Sequence, residues 1–213
     1  MLHSLAQPLA YLGAVLGVGM VVPQLVRTIR HPHLTGVSAL SWGLMALGCA
    51  MWLDYGLRTA SMVQLPGNTV LIAGSVAVVL LVPSRWSRPG RAVVLASALG
   101  ALVVASLTLP AETVGFMAFG LSLVSTWPQL IESYGNSRKA IVSGLSLPTY
   151  FVRIASITCW LSYALISTDI PVAVSATFGI TATTAIILME GSARRRSGLT
   201  ADESERELEG ATA

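Results

Sequence analysis

Two proline-glutamine pairs, Pro23 with Gln24 and Pro128 with Gln129, stand near the ends of long apolar runs. Proline within a helix removes a backbone donor and frees the carbonyl four residues earlier, here that of Gly19 and of Val124, so the helix loosens there. The neighbouring glutamine brings an amide able to bond such a carbonyl and release it again. The pairs read as candidate hinges or, alternatively, as helix ends near the lipid headgroups. Arg153 lies several residues inside another apolar stretch, where an unpaired cation is costly. It either reaches back to headgroup phosphates or attracts an anionic group such as a carboxylate. Asp54, near the end of its own stretch, reads as simply exposed at the interface.

Other chemistry finds little support. His31 and His33 sit two apart in a loop, but two ligands do not make a metal site. No nucleophile-base pair, phosphate-cradling glycine loop or metal-ligand spacing is present, so the sequence predicts no enzyme activity, no metal and no cofactor.

These residues must be positioned by membrane helices. Of 213 residues 54% are hydrophobic and 11% charged, and the mean hydropathy is +0.71. No ordinary soluble domain of this length hides so much apolar surface from water. Counting stretches against the roughly 20 residues that cross a bilayer predicts seven spans, at about 8–30, 38–57, 63–82, 92–109, 112–133, 144–166 and 170–190. The first lacks the basic start and small-residue cleavage site of a secretory signal and reads as a retained helix. Cys49 and Cys159 fall within spans and read as small core residues. The net charge of +3 does not point to nucleic acid, because the cations occupy short loops. Arg27, Arg30, Arg85, Arg88, Arg91, Arg138, Lys139 and Arg194 to Arg196 all fall on one side of the predicted topology, against Arg58 on the other. Positive residues stay inside, so the N-terminus is expected outside and the C-terminus in the cytoplasm.

The spans repeat. "GVSALSW" at Gly36 and "GLSLPTY" at Gly144 are 108 residues apart, as are "WLDYGL" at Trp52 and "WLSYAL" at Trp160. The Pro-Gln pairs are 105 apart, which puts three extra residues in the second copy's loop. Each copy holds three helices. An odd number of crossings would invert the second copy, yet both Pro-Gln loops carry cations, so one further span must reverse the chain. "VVLASALGALVVASLTL" is that span, and the copies become parallel repeats about an axis along the membrane normal.

Tandem Pro-Gln pairs, each followed by a loop and a "G-[VL]-S" motif in a 3+1+3 arrangement, resemble the PQ-loop superfamily, which includes the SWEET and SemiSWEET sugar transporters and the cystinosin-type exporters. The resemblance implies an all-α transmembrane fold: a first repeat at 1–90, a linker helix at 91–110, a second repeat at 111–191 and a charged tail at 192–213. It implies hinges at Pro23, Gln24, Pro128 and Gln129. It also implies a central pocket with Trp52 and Asn68 from the first repeat and Trp160 from the second. The second asparagine is missing; Ala176 stands in its place, with Ser175 and Thr177 beside it as hydroxyl candidates. Cystinosin-like proteins carry an acidic residue where Arg153 stands, and an arginine cannot release a proton there.

The leading expectation is an alternating-access transporter of a small polar solute, a sugar first, in a bacterial inner membrane. The alternatives are a carrier of amino acids or other carboxylates that uses Arg153, and a membrane sensor without flux. Solute and bilayer are the expected partners; the sequence leaves a homo-oligomer open.

Overall fold

The computed structural model describes residues 2–30, 39–81, 87–143 and 145–198. His31, His33, Arg85, Gly36, Gly144, the tail beyond residue 198 and the side chain of Gln24 lie outside the described residues. Among those described, the secondary structure is helical throughout: α1 (Leu2–Arg30), α2 (Ala39–Arg58), a 3-10 turn (Met62–Gln64), α3 (Leu65–Leu81), α4 (Arg88–Thr108), α5 (Ala111–Lys139), α6 (Leu147–Ser167) and α7 (Ile170–Ser197). Six of the seven helices are long and apolar enough to cross a membrane. The other is α2, whose tryptophans, Asp54 and Arg58 dilute an apolar sequence. The chain is an integral, multi-pass membrane protein.

Local chemistry explains the helix starts. Proline is the second residue after the cap in α4, α6 and α7 (Pro89, Pro148 and Pro171), within the first turn, where its missing N–H costs nothing. Ser87 and Asp169 cap α4 and α7 by accepting from Gly90 N and Val172 N. Pro23 and Pro128 both lie inside helices, since α1 runs on to Arg30 and α5 to Lys139.

The helices pair twice in the same pattern. In the first repeat α3 contacts both α1 and α2; in the second, α7 contacts both α5 and α6. The repeats meet crosswise, α1 against α6 and α2 against α5. Small residues permit the closest approach. A Cβ at Gly13 would stand 3.0 Å from the Ser156 carbonyl and 3.0 Å from the Trp160 ring, and the Ser156 hydroxyl donates to the Gly13 carbonyl at 2.7 Å.

Asp54 is more than an exposed interfacial charge. It is partly buried, accepts from Ser106 of α4 at 2.7 Å and lies 3.8 Å from Arg58, which donates to the Leu109 carbonyl at 2.6 Å. An acid beside an i+4 arginine thus fastens α4 to α2. Below, the end of the bundle that holds residue 2 is called the near end and the opposite one the far end.

Candidate functional site

A cavity of about 270 Å³ lies between the repeats. The first repeat contributes Trp52 from α2, Gln64 from the 3-10 turn and Asn68 from α3; the second contributes Arg153 and Trp160 from α6 and Ser175 from α7. Gly13 and Gly17 of α1 and Thr126 of α5 complete the parts that bear on its chemistry. Five residues expected at the pocket, Trp52, Asn68, Trp160, Ser175 and Arg153, therefore share one cavity wall. Thr177 is not among the lining residues; its hydroxyl donates to the Ala173 carbonyl on an exposed face. Two residues on a helix are about 200° apart, so Ser175 and Thr177 do not share a face.

The tryptophans are braced alike. Trp52 meets Tyr55 edge-on at 5.9 Å and 82°, and Trp160 meets Tyr163 at 5.8 Å and 90°. Each pair sits three residues apart on its helix, and the two tyrosines keep the offset of 108. Asn68 is oriented by its own helix, its amide nitrogen donating to the Gln64 carbonyl at 2.7 Å. Its side-chain oxygen is then the group left for a solute.

Gln64 was not singled out from sequence. It is 3% exposed, and its amide nitrogen has no partner among the described residues. Room for it comes from Gly56, where a Cβ would stand 2.8 Å from the Gln64 Cβ. At the start of an apolar run a glutamine reads as an interfacial residue, which concealed it. The place of Gln64 in the second repeat is taken by Val172, and that of Asn68 by Ala176, both also at the cavity.

Toward the near end the cavity is shut. Ala6, Ala10, Tyr55, Val63, Tyr163, Ala164 and Val172 form a buried apolar cluster with both tryptophans packed on it. Two hydrogen bonds cross above it: Tyr55 donates to Asp169 at 2.7 Å, and the hydroxyls of Ser61 and Tyr163 meet at 2.7 Å. They are one contact made twice, since Tyr55 and Tyr163, and Ser61 and Asp169, are each 108 apart. Burial pushes the Asp169 carboxyl above its ordinary value of 3.8, while its hydrogen bonds from Tyr55 and Val172 pull it back. Beyond this latch opens a second space of about 410 Å³, bordered by Tyr55, Ser61, Tyr163 and Asp169.

At the far end the expected hinge residue Gln129 bonds within its own repeat. Its amide donates to the Ser133 hydroxyl at 3.3 Å, which donates to Glu190 of α7 at 2.7 Å. Ser143 donates to the other oxygen of Glu190, and Arg194 to the Leu145 carbonyl. Glu190 is fully buried. Its position in the first repeat would be Val82, so this carboxylate has no twin.

No family model matches the chain, and no curated protein does. A solved structure does: a eukaryotic SWEET transporter superposes with a TM-score of 0.77 over 91% of this chain and 99% of that one, at 13% identity. The chain has the SWEET-type fold. The likeness concerns the fold; the cavity described above is lined by this chain's own residues.

Proposed function

We propose that this protein is a membrane transporter that carries a small polar solute, a single sugar ring first, by alternating access between its two repeats. One observation carries the reading: two spaces, the first mostly apolar and the second mostly polar, lie to either side of a buried apolar cluster and two matching hydrogen bonds between the repeats. Opening the latch while closing the far end would pass a solute from one space to the other. A cavity of about 270 Å³ has room for a single sugar ring. Trp52 and Trp160 offer flat apolar faces, and Asn68 and Ser175 polar contacts. Repeats at 1–90 and 111–191 with a linker at 91–110 are the moving units. Pro23, Gln24, Pro128 and Gln129 are the hinges at their far ends. The basic residues at the far end support an orientation with the near end outside and the far end, with the tail, in the cytoplasm of a bacterial cell.

A second reading has its own support, since Arg153 borders the cavity and a fixed cation there suits a carboxylate-bearing solute. Uptake of radiolabelled monosaccharides and of small carboxylates into proteoliposomes, with and without a pH gradient, tests both. Saturable flux of either class is the expected result. Binding without flux of any solute would instead favour a sensor.

A further inference from the structure

The polar groups of the cavity are unevenly placed. Gln64 and Asn68 lie one helical turn apart on the first repeat, facing Val172 and Ala176 at the matching places of the second. Asn68 spends its amide nitrogen on the Gln64 carbonyl and so presents an oxygen; Gln64 holds an unpaired nitrogen. The two amides form one acceptor and one donor, a pair that suits a hydroxyl-bearing edge, since each hydroxyl can give one bond and take another. Leaving the buried Gln64 donor unmatched is unfavourable, and a solute oxygen would relieve it.

Charge is uneven as well. Arg153 is the only charged residue in the cavity lining, and no carboxylate pairs with it among the described residues. It shares one stripe of α6 with Ile157 and Trp160, both at the cavity, at spacings of four and seven residues. Seven residues at 1.5 Å each place Arg153 about 10 Å from Trp160 along the helix, toward the far end. Both side chains nonetheless border the same cavity. A ring against the tryptophans would therefore have an anionic substituent within reach of Arg153 while its hydroxyls meet the amides.

We propose that the cavity selects a hydroxylated monoanion of one ring, a sugar acid, held with its hydroxyl edge toward Gln64 and Asn68 and its carboxylate toward Arg153. The inference rests on the reading of this cavity as the solute site, and it makes Gln64 a specificity-determining residue. Arg153, exposed at the edge of this cavity and paired with no described carboxylate, is balanced by one negative charge. A neutral sugar would satisfy the amides and leave Arg153 unmatched.

Glucose and glucuronate are the probes, for they share the ring and differ by one carboxylate. Binding to the purified full chain is measured calorimetrically in a phosphate-free detergent and again in phosphatidylcholine nanodiscs, alongside melting of each variant. The parent should bind glucuronate at least about tenfold more tightly than glucose in both settings, as a charge-assisted contact requires. Arg153→Gln should erase that preference, lowering glucuronate affinity about tenfold, to the level of glucose in the same variant. Gln64→Leu should weaken both probes about five- to tenfold, preserving the preference; Gln64→Asn, with a shorter amide, serves where the leucine variant melts early. Equal affinities in the parent, a preference that survives Arg153→Gln, or Gln64 variants that bind normally would each overturn the proposal. A preference seen in detergent but lost in nanodiscs would also overturn it, by assigning Arg153 to lipid phosphate. Flux of the same probes into proteoliposomes separates the two readings: selective binding without flux ends the transporter reading alone, and glucose flux without glucuronate preference ends the sugar-acid assignment alone.

Discussion

Removing one phenolic hydroxyl tests the near-end latch. Tyr55→Phe keeps the ring that packs edge-on against Trp52 and deletes only the bond to Asp169 at 2.7 Å. A hydrogen bond to a charged acceptor contributes about 1.5 to 3 kcal/mol, and the lower figure applies here because the site borders an open, solvated space. That is about a tenfold shift toward the open near end. Tyr163→Phe deletes the sister bond to Ser61, which joins two neutral hydroxyls, and should shift the balance only about two- to fivefold. Spin labels at Met62 and Ile170, both exposed beside the latch, report the opening as a longer distance population. The reasoning would be refuted if Tyr55→Phe left the distance distribution of the parent unchanged, or if Tyr163→Phe moved it further. Acidity supplies a second handle on the same samples. The closed near end raises the Asp169 carboxyl above 3.8, so that form holds its proton more tightly than an open form with Asp169 in water. Closure is then favoured most at low pH, and it weakens as pH climbs from 3.8 through the raised value. Asp169→Asn should abolish this dependence, and a dependence of opposite sign would count against the latch.

Two further perturbations probe the packing around the cavity. Gly13→Ala brings a methyl to 3.0 Å from the Ser156 carbonyl and should lower stability by about 1 to 3 kcal/mol as α1 and α6 are forced apart; an unchanged melting temperature would show that the contact relaxes freely. Glu190→Ala leaves the Ser133 and Ser143 hydroxyls without their acceptor and should cost more than about 1.5 kcal/mol, with Glu190→Gln costing less because it keeps one carbonyl oxygen. Thermal melts of the two side by side check the order.

Much of the architecture was legible because membrane helices announce themselves by length and hydropathy, and because a duplicated sequence keeps its register. The offset of 108 read from Gly36 and Trp52 recurs in space as the mirrored tyrosines and braced tryptophans. What escaped notice was polar and unmatched. Tyr55 and Asp169 are 114 residues apart, and Asp169 is matched by a mere serine, so neither looked like half of a contact. Applying the offset to every polar residue would have paired Ser61 with Asp169 and exposed the latch. Gln64 and Glu190 have only valines at their matching places, and a repeat search is blind to what one copy alone possesses. Thr177 adjoins Ala176 in the sequence, but the helical turn carries it to another face.

The fastening of α4 has a consequence for how the molecule divides. Ser106 bonds Asp54, Arg58 bonds the Leu109 carbonyl, and at the other end Arg91 donates to the Leu80 carbonyl at 3.4 Å. All three ties run to α2 and α3. Only Leu109 and Pro110 separate α4 from α5, and both are extended, with ψ of 151° and 149°. The reversing helix is therefore fastened to the first half as ballast, and were the halves to move as proposed, it would go with that half and the chain would bend at Pro110 as well as at the Pro-Gln pairs. By sequence repeat the chain counts three, one and three; by attachment it counts four and three.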